Sequence, residues 1–314
     1  MITSSNTRIS LLLMVLIGAV ETAFSQSSGL QFLNIGPNSR ALSLGEAVTA
    51  LPMGGSSIYS NPANLAQDST SSLTADYTLW IADQKISHVA VNLKRNEQRA
   101  IAFGLLNSTT DNFEARTRPG PADGTFSVNY LSLAGAYAQT FGNISIGGAA
   151  HFIREEFLIN KASGYSLNAG IAARWLDDRL RTGVSLLSLG KMNELRDEPT
   201  ELPSNLRAGV AAELFEFTPP KNRDLPMLIS IYADYISLFE EETGTADENS
   251  FNLGLSVNVA GLVDIRGGYK TGRTDRKFGL GIGVDTQSIS FNYSLIPFET
   301  GFGTAHSIGM EYYF

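Results

Sequence analysis

The chain has 314 residues, of which 43% are apolar and only 17% are charged, against about 25% charged in an average soluble domain. Aromatic residues at 10% exclude a disordered chain, and the absence of cysteine excludes disulfides, thiolate metal sites and cysteine nucleophiles. The net charge of -8, with no Lys/Arg run longer than Lys94-Arg95, argues against a nucleic-acid partner.

The N-terminus has the three-part form of a secretory signal. Arg8 precedes an apolar stretch at 9–20, and small residues follow at Ala23 and Ser25, the positions that signal peptidase reads. The apolar stretch is shorter than the roughly 20 residues that a membrane-spanning helix needs. We therefore expect a cleaved signal peptide at 1–25, with a retained membrane anchor as the alternative.

The next segment, residues 26–68, lacks the alternation of a strand, and we call it the hatch. Apolar residues recur in it at helical spacing after a possible cap at Asn38 or Ser39, namely Ala41, Leu44, Ala47, Val48 and Leu51. Asn61-Pro62 predicts a turn, because proline pushes the preceding residue out of the α region. We interpret this segment as a plug with a short amphipathic helix, and a loosely ordered periplasmic extension is the alternative.

Period-2 alternation recurs from residue 69 to the C-terminus. Leu73, Ala75, Tyr77 and Leu79 alternate with polar residues, and similar runs occupy 165–175, 206–214, 251–259 and 289–295. There are about fourteen such segments of roughly ten residues, the length of a tilted strand that crosses a bilayer. The pattern predicts an all-β fold in which residues 69–314 form a transmembrane antiparallel β-barrel with the hatch in its lumen.

Connection lengths support a barrel in the bacterial outer membrane. The connections at 107–125 and 154–164 are long and polar, whereas those at 141–143 and 259–262 are tight. Outer-membrane barrels have short periplasmic turns and long external loops. The alternative is a secreted β-sandwich or jelly roll, in which there is no reason for long and short connections to alternate along the chain.

The polar face of the alternation faces the lumen of a barrel. It supplies a predicted lumen network of Asp76, Arg174, Arg207, Glu213, Asp264, Arg266, Lys270 and Glu311. Because an unpaired buried charge is costly, the mixed signs favour salt bridges and hydrogen bonds to a plug over a charge-selective pore. A lumen of about fourteen strands is also wider than side chains alone can fill.

Two runs in the hatch, IGPNSRALSLGEA at 35–47 and SIYSNPANLA at 57–66, resemble the N-terminal signature of the PorV/PorQ family. That family belongs to the FadL-like superfamily of outer-membrane transport barrels. The resemblance implies a 14-stranded barrel with a hatch in the lumen, and PorV-like members are implied to bind C-terminal domains of cargo for the type IX secretion system. FadL-like members are implied to carry hydrophobic small molecules. The terminal Phe314 resembles the signal that barrel-assembly machinery recognises.

Catalysis is not expected. His88, His151 and His306 fall on different predicted strands without metal-ligand spacing, and the glycine-rich run 279–283 sits inside a strand with no following helix. We therefore expect no catalytic residue, metal or cofactor. The expected partners are outer-membrane lipid, the assembly machinery, and type IX components or cargo.

Two functions remain open. The first is docking or release of type IX cargo, for which the external-loop candidates are Phe113, Arg116, Arg118, Phe157, Leu158, Ile159, Met192, Leu195, Leu202, Phe298 and Phe302. The alternative is transport of hydrophobic small molecules such as long-chain fatty acids. Transport needs an apolar pocket, and the candidates for its lining are Leu33, Ile35, Leu42, Leu44, Met53, Ile58, Asn61, Pro62 and Leu65.

Overall fold

The structure is a computed structural model that describes residues 30–115, 122, 124–195, 199–219, 225–239, 249–272, 276–299, 301 and 303–314. The expected signal peptide and the candidates Arg116, Arg118 and Phe302 lie outside the described residues.

Fourteen strands are present in the described part of the chain, and each pairs antiparallel with its sequence neighbours. They are β1 (Ser72–Leu79), β2 (Gln84–Asn96), β3 (Arg99–Ala115), β4 (Gly124–Phe141), β5 (Ile144–Phe157), β6 (Asn160–Trp175), β7 (Leu180–Met192), β8 (Asn205–Phe217), β9 (Met227–Leu238), β10 (Asn249–Val259), β11 (Val263–Lys270), β12 (Phe278–Asp285), β13 (Ile289–Pro297) and β14 (Thr304–Tyr313). Pairing of β1 with β14, from Ser72 opposite Tyr313 to Leu79 opposite His306, closes the sheet. The predicted antiparallel barrel of about fourteen strands is confirmed.

The outer surface of the wall is apolar. Along β5 the outward residues Ile146 and Phe152 are exposed, whereas the inward residues His151 and Ile153 are buried. Such a band of exposed large apolar side chains is stable against hydrocarbon and unstable against water. Among the described residues, no helix combines the length and apolar character needed to cross a membrane.

One side of the barrel is much taller than the other. Strands β3 and β4 have 17 and 18 residues, whereas β11 and β12 have 8 each. The connection expected at 154–164 is instead strand, because β5 and β6 continue pairing as far as Phe157 opposite Asn160. The expectation of a long loop there was wrong, since polar residues on both faces of the hairpin hide the alternation.

The core lies inside the lumen, around residues 30–68 of the hatch. This segment contains one short α-helix, α1 (Ser39–Ser43), and 3-10 helices at Gln31–Asn34, Ser56–Tyr59 and Pro62–Ala66. The Asn38 side chain caps α1 by accepting a hydrogen bond from Ala41 N at 2.8 Å. The helix is shorter than its spacing predicts, because Gly45 and Glu46 adopt left-handed backbone that ends it.

Candidate functional site

The hatch crosses the barrel interior and packs on strands from different sides of the wall. Helix α1 lies against β11 to β14, and the 3-10 helix Pro62–Ala66 lies against β3 to β6. Leu44, Ile58 and Leu65 of the hatch are fully buried. The hatch therefore separates the lumen into regions with different chemistry.

Two wall aspartates hold the hatch by its backbone. Asp76 on β1 accepts hydrogen bonds from Ser39 N at 3.0 Å and Ser39 Oγ at 3.1 Å. Asp234 on β9 accepts from Val48 N at 2.9 Å, Thr49 N at 2.8 Å and Thr49 Oγ1 at 2.7 Å. Buried backbone N–H groups outside regular structure need such acceptors, and hydrogen bonds to a carboxylate are stronger than neutral ones.

Glu46 attaches the hatch to the wall with a buried ion cluster. Its carboxylate accepts from Lys270 Nζ at 2.5 Å, Arg276 Nη1 at 2.7 Å and Gly36 N at 3.0 Å. Burial alone would raise the pKa of Glu46, but the positive charges of Arg276 and Lys270 outweigh burial and hold that pKa well below its usual range. The guanidinium of Arg276 also lies over the Trp80 ring, 4.8 Å from its centroid.

The Asn-Pro-Ala turn fastens the lower part of the hatch. Asn61 Nδ2 donates to Thr49 O at 2.9 Å and to Ile171 O of β6 at 3.1 Å, while Asn61 Oδ1 accepts from Ala63 N. Asn64 Nδ2 donates to Thr49 O and Leu51 O, both at 3.1 Å. These amides connect two turns of the hatch to each other and to the wall.

Glycines in the wall let the hatch approach the strands closely. A Cβ atom on Gly147 would lie 2.5 Å from the Pro62 carbonyl, and a Cβ atom on Gly268 would collide with the backbone of Leu44 and Gly45. Side chains at these positions would displace the hatch, because the atoms they meet are backbone.

One half of the lumen is filled by apolar side chains, which we call the apolar compartment. The hatch supplies Phe32, Ile58, Tyr59 and Leu65, and the wall supplies Ile86, Leu106, Ile153 and Met192, with alanines between them. The Tyr59 ring lies edge-on between His88 and His151, with both ring centroids 5.4 Å away. Asn168 Nδ2 contacts His151 Nε2 at 2.9 Å and donates to Ile58 O at 3.0 Å.

The tall side of the wall carries aromatic rings above the apolar compartment. Phe126 stacks on Phe113 and meets Phe157 edge-on, each at a centroid distance of 5.3 Å. Their register with the buried Val128 places all three on the lumen face. We call Phe113, Phe126 and Phe157 the outer aromatic face. Phe113 and Phe157 are exposed.

Below the hatch, at the end of the barrel with the short turns, lies a chamber of about 740 Å³. Its walls are mostly polar and carry acidic and basic side chains, including Asp264 and Arg266. Arg266 Nε donates to Asp264 Oδ2 at 2.7 Å, and Arg266 Nη2 donates to Asn292 Oδ1 at 2.6 Å. We call this cavity the polar chamber.

The structure divides the predicted lumen network between several places. Asp76, Arg174, Glu213, Asp264, Arg266 and Glu311 line the polar chamber. Lys270 instead belongs to the Glu46 cluster, and Arg207 donates to Asn205 Oδ1 at 3.0 Å. The eight residues therefore do not form one continuous network.

The candidates for a ligand lining also separate. Ile58 and Leu65 lie in the apolar compartment, with Leu33 and Ile35 packed against it. Leu44 and Met53 belong to a second buried cluster, and Leu42 to a third. Asn61 and Pro62 are buried in the turn that fastens the hatch. Whether any of these residues contacts a ligand stays a prediction.

Sequence reasoning missed Glu46 and Asp234 as attachments of the hatch. Asp234 is a lone acid in the otherwise apolar and small run 228–236 of β9, and this contrast was the available signal. Among the described residues, no group of His, Cys, Asp and Glu could hold a metal ion. His306 lies on the outer surface, where its Nδ1 is 2.7 Å from Tyr293 Oη.

A closed antiparallel barrel with an apolar exterior and a folded N-terminal segment in its lumen belongs to the plugged class of transmembrane barrels. The CymD monoaromatic hydrocarbon channel has this fold, with a TM-score of 0.59, 12% identity and coverage of 89% of this chain and 98% of that chain. The Ralstonia pickettii toluene transporter TbuX has a TM-score of 0.58 and 12% identity, with coverage of 89% of this chain and 98% of that chain. A Pseudomonas aeruginosa FadL homologue has a TM-score of 0.54 and 12% identity, with coverage of 93% of this chain and 100% of that chain.

These likenesses establish a FadL-like barrel fold. The similar structures are channels and transporters, and none of the comparisons confirms the expected PorV/PorQ membership or the type IX association. No protein-family model matches the sequence, and no curated protein does either.

Proposed function

We propose that this protein is an outer-membrane channel for uncharged hydrophobic small molecules. The observation that carries the proposal is a series of apolar side chains on the lumen side of the tall wall, which we call the apolar route. It begins at the outer aromatic face, passes the stacked pair Phe32 and Tyr130, whose centroids are 5.3 Å apart, and enters the apolar compartment. Apolar molecules leave water for such surfaces with a gain of about 25 cal/mol per Å² buried.

The hatch controls this route. Phe32, Ile58 and Leu65 of the hatch fill the apolar compartment, so a ligand enters only when hatch side chains move aside. The similar folds of a monoaromatic hydrocarbon channel and a toluene transporter agree with a ligand of this kind. No observation on the described residues favours docking of type IX cargo.

A buried acid on the route favours neutral ligands over fatty acids. Glu155 on β5 points inward beside Tyr130 and accepts a hydrogen bond from Thr200 Oγ1 at 2.8 Å. It lies between Ile153 and Phe157, and no basic side chain pairs with it among the described salt bridges. A ligand carboxylate would meet a like charge there in a poorly solvated region.

Uptake measurements test the proposal. The full chain is expressed in a Gram-negative host that lacks its own hydrophobic-substrate channel, and uptake of labelled toluene and labelled decanoate is measured. We expect faster uptake of toluene than in the empty host, and loss of most of that gain in Phe126→Ser. Phe103→Ser is the matched control, because Phe103 of β3 faces outward.

The charge argument has its own variant. Glu155→Gln keeps an acceptor for Thr200 and removes the charge, so decanoate uptake should rise relative to toluene uptake. Equal uptake of toluene in cells with and without the protein, at matched amounts of barrel in the membrane, would contradict the proposed function.

A further inference from the structure

The polar chamber has charges that are sorted around its wall. The half of the circumference from β2 to β7, with its turns, we call the basic wall. It presents the cations Lys94, Arg174, Arg179 and Arg181 and the acids Glu97 and Asp178. Four cations against two acids leave this wall net positive.

The other half of the circumference, from β8 through β14 to β1, we call the acidic wall. It presents the acids Asp76, Glu213, Asp264, Asp285 and Glu311 and the cation Arg266. Five acids against one cation leave this wall net negative. Two walls of opposite net charge create a field across the chamber.

The hatch adds one cation and one acid to the chamber. Burial alone would lower the pKa of Arg40, but the negative charges around it, including Asp264 and Glu311 of the acidic wall, raise that pKa. Burial and the charge of Glu311 raise the pKa of Asp68 to about 7, whereas the charge of Lys94 acts to lower it. One cation and one acid do not neutralise the two walls.

Charged atoms at the acidic wall retain unused hydrogen-bonding capacity. The side chains of Asp264 and Arg266 are 9% and 1% exposed, and both line the chamber. Beyond their mutual bond, Asp264 Oδ1 and Arg266 Nη1 have no hydrogen-bond partner in the part of the chain that the structure describes. Buried polar groups of native proteins are normally paired, so such atoms indicate a site that takes a polar ligand.

The dimensions set the size of that ligand. Fourteen strands spaced about 4.8 Å apart and tilted by about 40° give a wall about 88 Å around and about 28 Å across. Arginine and carboxylate side chains reach inward from both walls and leave roughly 16 Å between their charged atoms. A contact of about 3 Å at each end leaves roughly 10 Å for the ligand, the length of about three extended residues. The chamber volume of about 740 Å³ lies in the range of small-molecule sites.

We propose that the polar chamber binds a small hydrophilic zwitterion whose opposite charges are about 10 Å apart. The anionic end pairs with Arg174 and Arg181 of the basic wall, and the cationic end faces Asp264 and Glu311 of the acidic wall. A molecule with one charge is attracted to one wall only, whereas a zwitterion is attracted to both walls. The site is independent of the apolar route, from which the hatch separates it.

Three probes with the same triglycine backbone test the proposal: triglycine, which is zwitterionic, N-acetyl-triglycine, which is anionic, and triglycine amide, which is cationic. Calorimetric titration of the full chain in nanodiscs at low salt measures their affinities. We expect triglycine to bind at least about tenfold tighter than either relative, a difference equivalent to about 1.4 kcal/mol. About 1 M salt, where the Debye length is about 3 Å, should remove most of that preference.

Variants assign the two ends. Arg181→Gln should abolish the preference for triglycine over the cationic amide, and Glu311→Gln should abolish the preference over the anionic acetyl form. Lys85→Gln is the control, because Lys85 is an exposed cation on the outer surface of β2. Equal affinities of the three probes for the unaltered protein, or binding of none of them, would overturn the proposal without bearing on hydrocarbon uptake.

Discussion

Glu46→Gln should loosen the hatch without changing the barrel. The substitution removes the negative charge that Lys270 and Arg276 share, while the amide oxygen still accepts the bond from Gly36 N. Removing one partner of a buried ion pair costs about 3–5 kcal/mol. Because the two cations retain 13% and 15% side-chain exposure, they are partly solvated afterwards, and the lower end of about 3 kcal/mol applies.

Hydrogen exchange measures this effect directly. A cost of about 3 kcal/mol corresponds to roughly 100-fold faster exchange of hatch amides at 36–49, at a factor of ten per 1.4 kcal/mol. Amides in β5 and β6 serve as the internal reference. Asp111→Asn is the control, since it breaks an exposed pair with Lys85, and exposed pairs contribute little. Exchange at 36–49 within about threefold of the unaltered protein would refute the assignment of Glu46 as an attachment of the hatch.

Three further outcomes are expected. Asp234→Asn replaces a charged acceptor of three hydrogen bonds by a neutral one, so amides near Val48 and Thr49 should exchange about tenfold faster, as measured by the same method. Gly147→Val should displace the hatch and raise single-channel conductance in planar bilayers, whereas Gly148→Val should not, because a Cβ on Gly148 makes only an ordinary 3.7 Å contact. Enclosure by the protein, with a contribution from the charge of Glu311, raises the pKa of Asp68 to about 7 from 3.8. The folded protein therefore binds this proton more tightly than the unfolded chain, so protection of the hatch should fall as pH rises from about 4 to 7. Asp68→Asn should remove that slope, and an unchanged slope would show that another group causes it.

The wall could be predicted from the sequence because each strand has lipid on one face and the lumen on the other. Outward residues such as Ile146 and Phe152 and inward residues such as His151 alternate wherever lipid covers the strand. The hairpin of β5 and β6 continues beyond that region, where Arg154, Glu156 and Lys161 form ion pairs on the outside. Alternation is lost there, so the pattern indicated a loop where the strands in fact continue.

The interior was harder to predict because its contacts join distant residues. Asp234 and Thr49 are 185 positions apart, and no local pattern links them. The end of α1 is likewise a tertiary effect, since Glu46 leaves the helical path toward Lys270 and Arg276. The alternation along each strand placed the eight lumen residues on the inner face. It does not indicate which of them meet across the lumen.

Closure of the sheet through β1 and β14 is connected with attachment of the hatch. The hatch precedes β1 in the chain, and it is attached to β1, β9 and β11 through Asp76, Asp234 and Lys270. Closure of the wall and attachment of the hatch are therefore coupled, because one segment holds the first strand and two strands of the second half of the chain. The residues that plug the lumen therefore also hold distant strands of the wall together from the inside.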